Sequence, residues 1–250
     1  TDGGLYVSND RGANWMMLSV LPVSQFYHVT YDMKEPYNVY GGLQDNQSWY
    51  APSQSAGGIE NSDWKNLGGG DGFWVQVDGM NPDVVYYESQ GGEIVHTNLK
   101  QGKAFGIKPQ QALNDEKLRF NWNTPIVIGQ KNKRNLYISS QYLFKSVDEG
   151  KNWIKISPDL TTNNKEKQKQ EESGGLSADN TSAENHCSIF TIAESPLDDN
   201  LIWAGTDDGN LQYTTDGGKT WTNVAANYAA AGIPAQTWVS SIEPSRFDKN

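Results

Sequence analysis

One eight-residue pattern occurs three times in this 250-residue chain, at 8–15, 146–153 and 214–221. Each copy has Ser or Thr first, Asp third, Gly fifth, Asn or Thr seventh and Trp eighth. In a tight turn the Asp and hydroxyl side chains accept hydrogen bonds from backbone N–H groups of their own loop, and Gly allows a positive φ. The Trp then buries a large apolar ring system. The pattern therefore predicts a hairpin turn with a small core of its own.

The spacing of the copies predicts a repeated module. The copies begin at positions 8, 146 and 214, so the first interval is 138 residues and the second is 68. The longer interval corresponds to three units of about 46 residues, which is close to the period of β-propeller blades. Two degenerate copies should therefore lie in between. One is 98–105, where Phe105 replaces the Trp, and the other lies within 48–67, where Trp49 or Trp64 supplies the aromatic ring.

Two short apolar strands precede each octapeptide. The first strands are predicted at 26–32, 72–78, 125–129 and 188–195, and the second strands at 38–42, 83–88, 135–139 and 200–205. With the two strands that flank each octapeptide, this gives four antiparallel strands per unit. The sequence thus predicts an all-β fold, a β-propeller with four full blades in a single region, 1–250.

The two ends of the chain resemble parts of further units. A leading hairpin is expected at 1–15 and a trailing strand at 238–243, which favours a segment of a larger propeller. The alternative is a four-bladed ring closed by pairing these two ends. A polar surface insertion, either a loop or a solvated helix, is predicted at 157–185 because its 165–172 portion has no apolar residue.

The octapeptide resembles the Asp-box, or bacterial neuraminidase repeat, of propellers such as sialidases, xyloglucanases and sortilin-type receptors. The whole chain looks like the bacterial proteins described as sortilin-like or glycosyl-hydrolase-like, on the evidence of 41–46 and 121–125. Residues 70–73 (Gly-Asp-Gly-Phe) are similar to the segment that carries a catalytic aspartate in xyloglucanase-type two-propeller glycosidases, with Gln76 where that family tends to place His. This resemblance implies a catalytic role for Asp71.

The alternation of turns in a meander sorts the loops between two rims. The octapeptides belong to one rim, whereas the second-strand turns and the connections between units belong to the other. Carboxylates expected on this second rim are Asp45, Asp71, Glu88, Asp207 and Asp208; amides are Gln44, Asn46, Gln90, Asn121, Asn123 and Gln141; tryptophans are Trp74, Trp122 and Trp238. Such groups bind sugar hydroxyls and ring faces, and paired carboxylates hydrolyse glycosidic bonds. Asp and Asn are also ordinary turn formers.

These observations predict an extracytoplasmic, glycoside-hydrolase-like propeller that binds and hydrolyses polysaccharide. Asp71 and Asp45 are the expected catalytic carboxylates. The residues expected to bind substrate are Gln44, Asn46, Trp74, Gln90, Asn121, Trp122, Asn123, Gln141, Asp207 and Asp208. The alternative is a noncatalytic propeller that binds a peptide or protein partner, as sortilin-type ectodomains do. A sialidase is less favoured, because Arg119 is the one plausible member of an arginine triad on this rim.

Charge and cysteine content exclude several other classes. The net charge is −10, which repels phosphate backbones, so no nucleic-acid partner is expected. No apolar run reaches the length of about 20 residues that a membrane helix needs. Cys187 is the sole cysteine and is predicted to be a buried bystander, and no metal or cofactor is expected. His28 and His96 have no spacing partner for a metal and are expected to be structural.

Overall fold

A computed structural model describes residues 5–18, 24–172, 183, 185–228 and 230–249. In this part of the chain, eighteen β-strands form one two-stranded sheet and four four-stranded sheets. The remaining regular structure is five 3-10 helices of three or four residues, at Asn61–Asp63, Gln90–Gly92, Lys165–Lys167, Gln170–Glu172 and Ala225–Tyr228. None of these helices approaches the length and hydropathy needed to cross a membrane.

Each four-stranded sheet is one blade with its strands in chain order. The leading hairpin pairs Tyr6–Val7 (β1) with Met16–Met17 (β2). Blade 1 contains Phe26–Tyr31 (β3), Asn38–Leu43 (β4), Ser48–Pro52 (β5) and Lys65–Gly68 (β6). Blade 2 contains Gly72–Val77 (β7), Val84–Ser89 (β8), Glu93–Asn98 (β9) and Lys103–Gly106 (β10). Blade 3 contains Ile126–Ile128 (β11), Leu136–Ser139 (β12), Leu143–Ser146 (β13) and Ile154–Lys155 (β14). Blade 4 contains Ile189–Glu194 (β15), Ile202–Thr206 (β16), Leu211–Thr214 (β17) and Thr222–Asn223 (β18).

The core lies between adjacent blades. Tyr40 of blade 1 clusters with Val75 of blade 2, Ile94 of blade 2 clusters with Ile126 of blade 3, and a third cluster joins blades 3 and 4. All strand pairs within the blades are antiparallel, and β3, β7, β11 and β15 contact one another in that order. The predicted all-β propeller of four-stranded blades is therefore confirmed. The predicted first and second strands occupy the expected positions to within about two residues.

The octapeptides form the turns between the third and fourth strands, as their spacing indicated. In blade 3, Asp148 Oδ1 accepts hydrogen bonds from Ser146 Oγ at 2.8 Å and from the Asn152 backbone N–H at 2.9 Å. Gly150, at φ +81°, brings its own N–H to within 3.0 Å of Ser146 Oγ. The copies at 8–15 and 214–221 have the same arrangement. The degenerate copy at 98–105 occupies the equivalent turn of blade 2.

Two of the three octapeptide tryptophans, Trp153 and Trp221, link their blade to the blade before it. The Trp153 indole Nε1 donates to the carbonyl of Ile107, just after β10, at 2.6 Å. Trp221 donates in the same way to Ile156, just after β14, at 3.0 Å. Each of these two indoles is thus partly buried and satisfies its N–H on the outer edge of the preceding blade.

Two predicted segments differ in detail from the expectation. The trailing segment 238–243 contains no assigned strand, although the Val239 N–H donates to the Thr206 carbonyl at 3.1 Å. The insertion begins with a buried stretch: Leu160 is fully buried in the core of blades 3 and 4, and its carbonyl accepts from the Gln212 side chain at 2.6 Å. Its polar portion up to residue 172 is largely exposed, and 173–182 and 184 lie outside the described residues.

Close approach between blades requires glycine at Gly42. A Cβ built there would overlap the backbone of Gly72 and Phe73 in the neighbouring blade. Gly69, by contrast, has open space around the Cβ position.

We expect Gly42→Ala to lower the free energy of unfolding by about 1–3 kcal/mol, because overpacking must shift a neighbouring backbone. Gly69→Ala is the matched control and should be neutral or slightly stabilising, since its φ lies outside the left-handed region. Urea unfolding followed by tryptophan fluorescence measures both. Equal stability of the two variants would contradict the close packing of blades 1 and 2.

The octapeptide carboxylates predict a pH dependence. The Asn152 side chain and backbone, followed by the Ser146 hydroxyl, lower the pKa of Asp148 to about 2. An unfolded Asp has a pKa of about 3.9, so this stabilisation is complete above about pH 4 and is lost as the pH falls towards 2. We expect Asp148→Ala to lower the melting temperature at pH 7 and to lose most of this effect near pH 2. The exposed Asp115→Ala is the control; a pH-independent Asp148→Ala effect would refute the linkage.

Candidate functional site

Backbone hydrogen bonds build the rim opposite the octapeptides. The second-strand turn of each blade bonds to the segment that leads into the next blade. Gln47 N–H donates to the Gly70 carbonyl at 3.1 Å, Gly91 N–H to Trp122 at 3.0 Å, and Ile189 N–H to Ser140 at 2.9 Å. The predicted turns and connections therefore do meet on one rim.

Side chains from the turns reinforce this rim in a repeated way. Gln90 Oε1 accepts from the Asp71 N–H at 2.8 Å, and Gln141 Oε1 accepts from the Arg119 N–H at 2.8 Å. Asp207 Oδ1 accepts from the Ser188 N–H at 2.9 Å. In each case the acceptor in the turn fixes the segment that leads into the same blade. These three predicted substrate-binding residues thus have structural hydrogen bonds, and Gln141 and Asp207 are buried.

A buried polar network occupies the blade 4 side of the rim. Asn121 Nδ2 donates to Ser188 Oγ at 3.0 Å and to Asp207 Oδ2 at 3.2 Å. Burial raises the pKa of Asp207, against the hydrogen bonds from Ser188 and the nearby imidazole of His186, whose Nδ1 lies 3.6 Å from Asp207 Oδ1. Asp208 accepts from the Thr162 hydroxyl at 2.7 Å and is also buried.

Arg119 is committed to internal contacts. Its guanidinium donates to Asp159 at 2.7 Å, to Glu116 at 3.0 Å and to the Cys187 carbonyl at 3.1 Å, and the residue is buried. Its guanidinium therefore lies within the protein. To bind a substrate carboxylate it would have to face the rim.

Glu88, another predicted rim carboxylate, is fully buried, and this burial raises its pKa well above the ordinary value.

The two predicted catalytic residues are in contact through the Asp45 backbone. The Asp45 backbone N–H donates to Asp71 Oδ1 at 2.6 Å, so the blade 1 turn holds the carboxylate that precedes β7. Burial, followed by the charges of Asp71 and Asp45, raises the pKa of Tyr27. The Tyr27 hydroxyl donates to Gln44 Oε1 at 3.0 Å. We call Tyr27, Gln44, Asp45 and Asp71 the carboxylate cluster.

Aromatic and amide groups adjoin this cluster along the inner strands. His28 stacks on Trp74 with ring centroids 3.5 Å apart, and its Nε2 lies 3.3 Å from Asn123 Nδ2. Burial lowers the pKa of His28 to about 4, so the imidazole is neutral near pH 7. We call His28, Trp74 and Asn123 the axial cluster. Phe73 packs beside the carboxylate cluster, since its ring lies 4.4 Å from Tyr27, and its other aromatic neighbour is Trp122, 6.4 Å away and edge-on.

The axial cluster has hydrogen-bonding capacity that the described residues leave unused. Trp74 Nε1 and Asn123 Oδ1 are buried, and neither has a partner among the described residues. One is a donor and the other an acceptor, which together match the two hydrogen-bonding functions of a hydroxyl group.

The structure therefore places most of the predicted rim residues in two groups. Asp45, Asp71, Gln44, Trp74, Trp122 and Asn123 lie in or beside the two clusters. The other group is Glu88, Gln90, Asn121, Gln141, Asp207 and Asp208, whose described contacts hold the rim together. Asn46 is exposed in the blade 1 turn, where its side chain donates to the Gln44 carbonyl at 3.0 Å, and Trp238 is half-exposed against Phe190.

Tyr27 and His28 are site residues that the sequence did not indicate. Both residues lie in β3, and neither belongs to a recognisable sequence motif. Only the packing of β3 against β7 brings them to the site. Among the described residues, no group of three or more His, Cys, Asp or Glu side chains could hold a metal ion.

No protein-family model matches the chain, and no curated protein matches it. The solved structures that resemble it include three GH74 enzymes. A GH74 enzyme of Niastella koreensis has 15% identity and a TM-score of 0.45 over 74% of this chain and 27% of that one. The GH74 xyloglucanase of Xanthomonas campestris has 14% identity and a TM-score of 0.49 over 85% and 32%. An ancestral GH74 enzyme has 13% identity and a TM-score of 0.47 over 79% and 24%.

The chain thus covers between 24% and 32% of the length of these three proteins. At such identities and scores, the similarity carries no argument about activity or substrate.

The structural role of the rim amides is testable. Gln141 is fully buried, and its amide also donates to the Lys117 carbonyl at 2.9 Å. We expect Gln141→Ala to cost about 1–3 kcal/mol for each buried group that loses its partner. The exposed Gln44→Ala should stay within about 0.5 kcal/mol of the parent. Chemical denaturation measures both, and equal stability would refute the structural role of Gln141.

Proposed function

We propose that this protein binds polysaccharide at the carboxylate and axial clusters and hydrolyses it with Asp71 and Asp45. The observation that carries the proposal is the placement of Asp71. Two hydrogen bonds from different blades fix it: its carboxylate accepts from Asp45 N–H, and its own N–H donates to Gln90 Oε1. A second carboxylate and a tyrosine hydroxyl lie beside it.

The surroundings of the carboxylates suit a sugar ring. Trp74 and Trp122 are partly buried aromatic platforms for C–H surfaces, and Gln44 and Asn123 provide amides for hydroxyl groups. The buried Trp74 Nε1 and Asn123 Oδ1 match the donor and acceptor functions of one sugar hydroxyl. The neutral His28 and the internal Arg119 leave no cation in these clusters for a substrate carboxylate.

Two adjacent carboxyl groups can hydrolyse a glycosidic bond in two ways. One protonates the leaving oxygen, and the other either attacks the anomeric carbon or activates a water molecule. Asp71 is held by the backbone of blade 1, so its position depends on the contact between blades 1 and 2. Asp45 lies in an exposed turn and is accessible from the rim.

We also propose that the octapeptides are Asp-box repeats and that the protein acts outside the cytoplasm. The shared hydrogen-bond pattern of the hydroxyl residue (Ser or Thr), the Asp and the Gly in all three copies supports the first proposal. The second rests on the proposed polysaccharide substrate alone.

Substitution of the carboxylates tests the catalytic proposal. We expect Asp71→Asn and Asp45→Asn each to lower kcat on β-glucans by roughly 10²–10⁴-fold, because each removes an acid–base or nucleophilic group. Asp115→Asn, an exposed carboxylate far along the chain, is the matched control and should keep full activity. Reducing-end release measures turnover, and a glycan array measures binding.

Each outcome has one meaning. Unchanged turnover in Asp71→Asn would remove Asp71 from the mechanism. Glycan binding by the parent without hydrolysis would leave a binding propeller and refute the catalytic part. Peptide capture without any glycan binding would favour the sortilin-like alternative.

A further inference from the structure

The face of β3 that points away from blade 2 is exposed, unlike its counterparts in the other blades. The residue just after each inner strand donates its N–H to the start of the second strand: Asp32 to Asn38, Asp78 to Val84, Gly129 to Asn135 and Ser195 to Leu201. Counting back three residues from these points identifies equivalent positions, which are Val29, Val75, Ile126 and Ile192.

Burial at these equivalent positions differs sharply. Val29 is 61% exposed, whereas Val75, Ile126 and Ile192 are 2%, 0% and 6% exposed. The three buried side chains belong to apolar clusters that include residues of the preceding blade. Tyr31, two residues after Val29 on the same face, is 64% exposed.

The leading hairpin also lacks the burial that equivalent residues have in the other blades. The Leu18 N–H donates to the Leu5 carbonyl, as Ile107 does to Ile94 and Ile156 to Leu143 at the ends of other blades. Leu5 is 52% exposed, but Ile94 and Leu143 are 1% and 0% exposed.

The tryptophan of the leading octapeptide is exposed too. Trp15 is 65% exposed, although Trp153 and Trp221 pack on a preceding blade and donate to its carbonyls. The hairpin thus has the turn of an outer strand pair without the neighbours that cover such a pair elsewhere.

We propose that β1 and β2 are the outer half of a further blade, whose two inner strands pack on Val29 and Tyr31. The occupant is two strands of the same polypeptide that precede β1, because in each complete blade a short turn joins the second strand to the third. The blade before that one would supply the carbonyl for Trp15. The trailing segment packs on blade 4 instead, where Val239 lies against Gly205 and donates its N–H to the Thr206 carbonyl.

A pair of matched variants in two proteins tests the proposal. In the 250-residue chain, Val29→Asp should shift the melting temperature by less than about 2 °C, because the site is exposed. In the complete polypeptide purified from its source, the same change should lower it by about 5 °C or more, since it buries an unpaired charge. Val75→Asp, the buried counterpart, should be severely destabilising in both proteins.

Hydroxyl-radical oxidation keeps the test decisive if Val75→Asp fails to fold. In the unsubstituted 250-residue chain, Trp15 should be oxidised much faster than Trp153 and Trp221; in the complete polypeptide, its rate should fall several-fold to theirs. The proposal would be overturned if, in the complete polypeptide, Trp15 were still oxidised fast and Val29→Asp left the melting temperature unchanged.

Two other results would also overturn it by assigning the face to a different occupant. Destabilisation by Val29→Asp in the monomeric 250-residue chain would mean that the chain covers its own face. Concentration-dependent protection of Trp15, with a dimer mass in sedimentation, would assign the face to a second copy.

Discussion

Apolar packing between adjacent sheets is the interaction on which the blade array depends, and in blades 3 and 4 an octapeptide indole adds a hydrogen bond to a carbonyl of the preceding blade. Adjacent propeller sheets meet through side chains, so no backbone ladder joins them along their length. Trp153 and Trp221 provide a directional bond at the outer edge, beside the apolar clusters that join the sheets. Gly150 and Gly218 permit this approach, because a Cβ at either position would meet Ile107 or Ile156.

That rim repeats one arrangement with different residues. A turn side chain accepts from the segment leading into its own blade, while the turn backbone bonds to the segment leading into the next. Most of the rim's polar groups are used in this way on blades 3 and 4. The polar groups of the proposed site lie instead where blades 1, 2 and 3 converge, at Tyr27, Asp71 and Asn123.

The electrostatics of this region suit a neutral ligand. The chain carries a net charge of −10, and Asp45 and Asp71 add negative charge at the site itself. Arg119, which lies three residues before Trp122 in the sequence, is paired with the carboxylates of Asp159 and Glu116. Hydroxyl groups can meet the carboxylates and the buried Trp74 and Asn123 atoms without a charge penalty, whereas an anionic sugar would be repelled.

The sequence by itself determined the fold, because the octapeptide is a local device. Its Ser, Asp and Gly bond within eight residues, and the flanking strands alternate around it, so spacing alone located the blades. The tertiary structure decided which rim residues remain accessible. Gln44 and Gln141 occupy the same place in their units, yet one is exposed and the other is buried against the segment that contains Arg119. Tyr27 and His28 entered the site only because β3 packs against β7. Such partners come from elsewhere in the chain, and no local pattern encodes a contact whose other half lies a blade away.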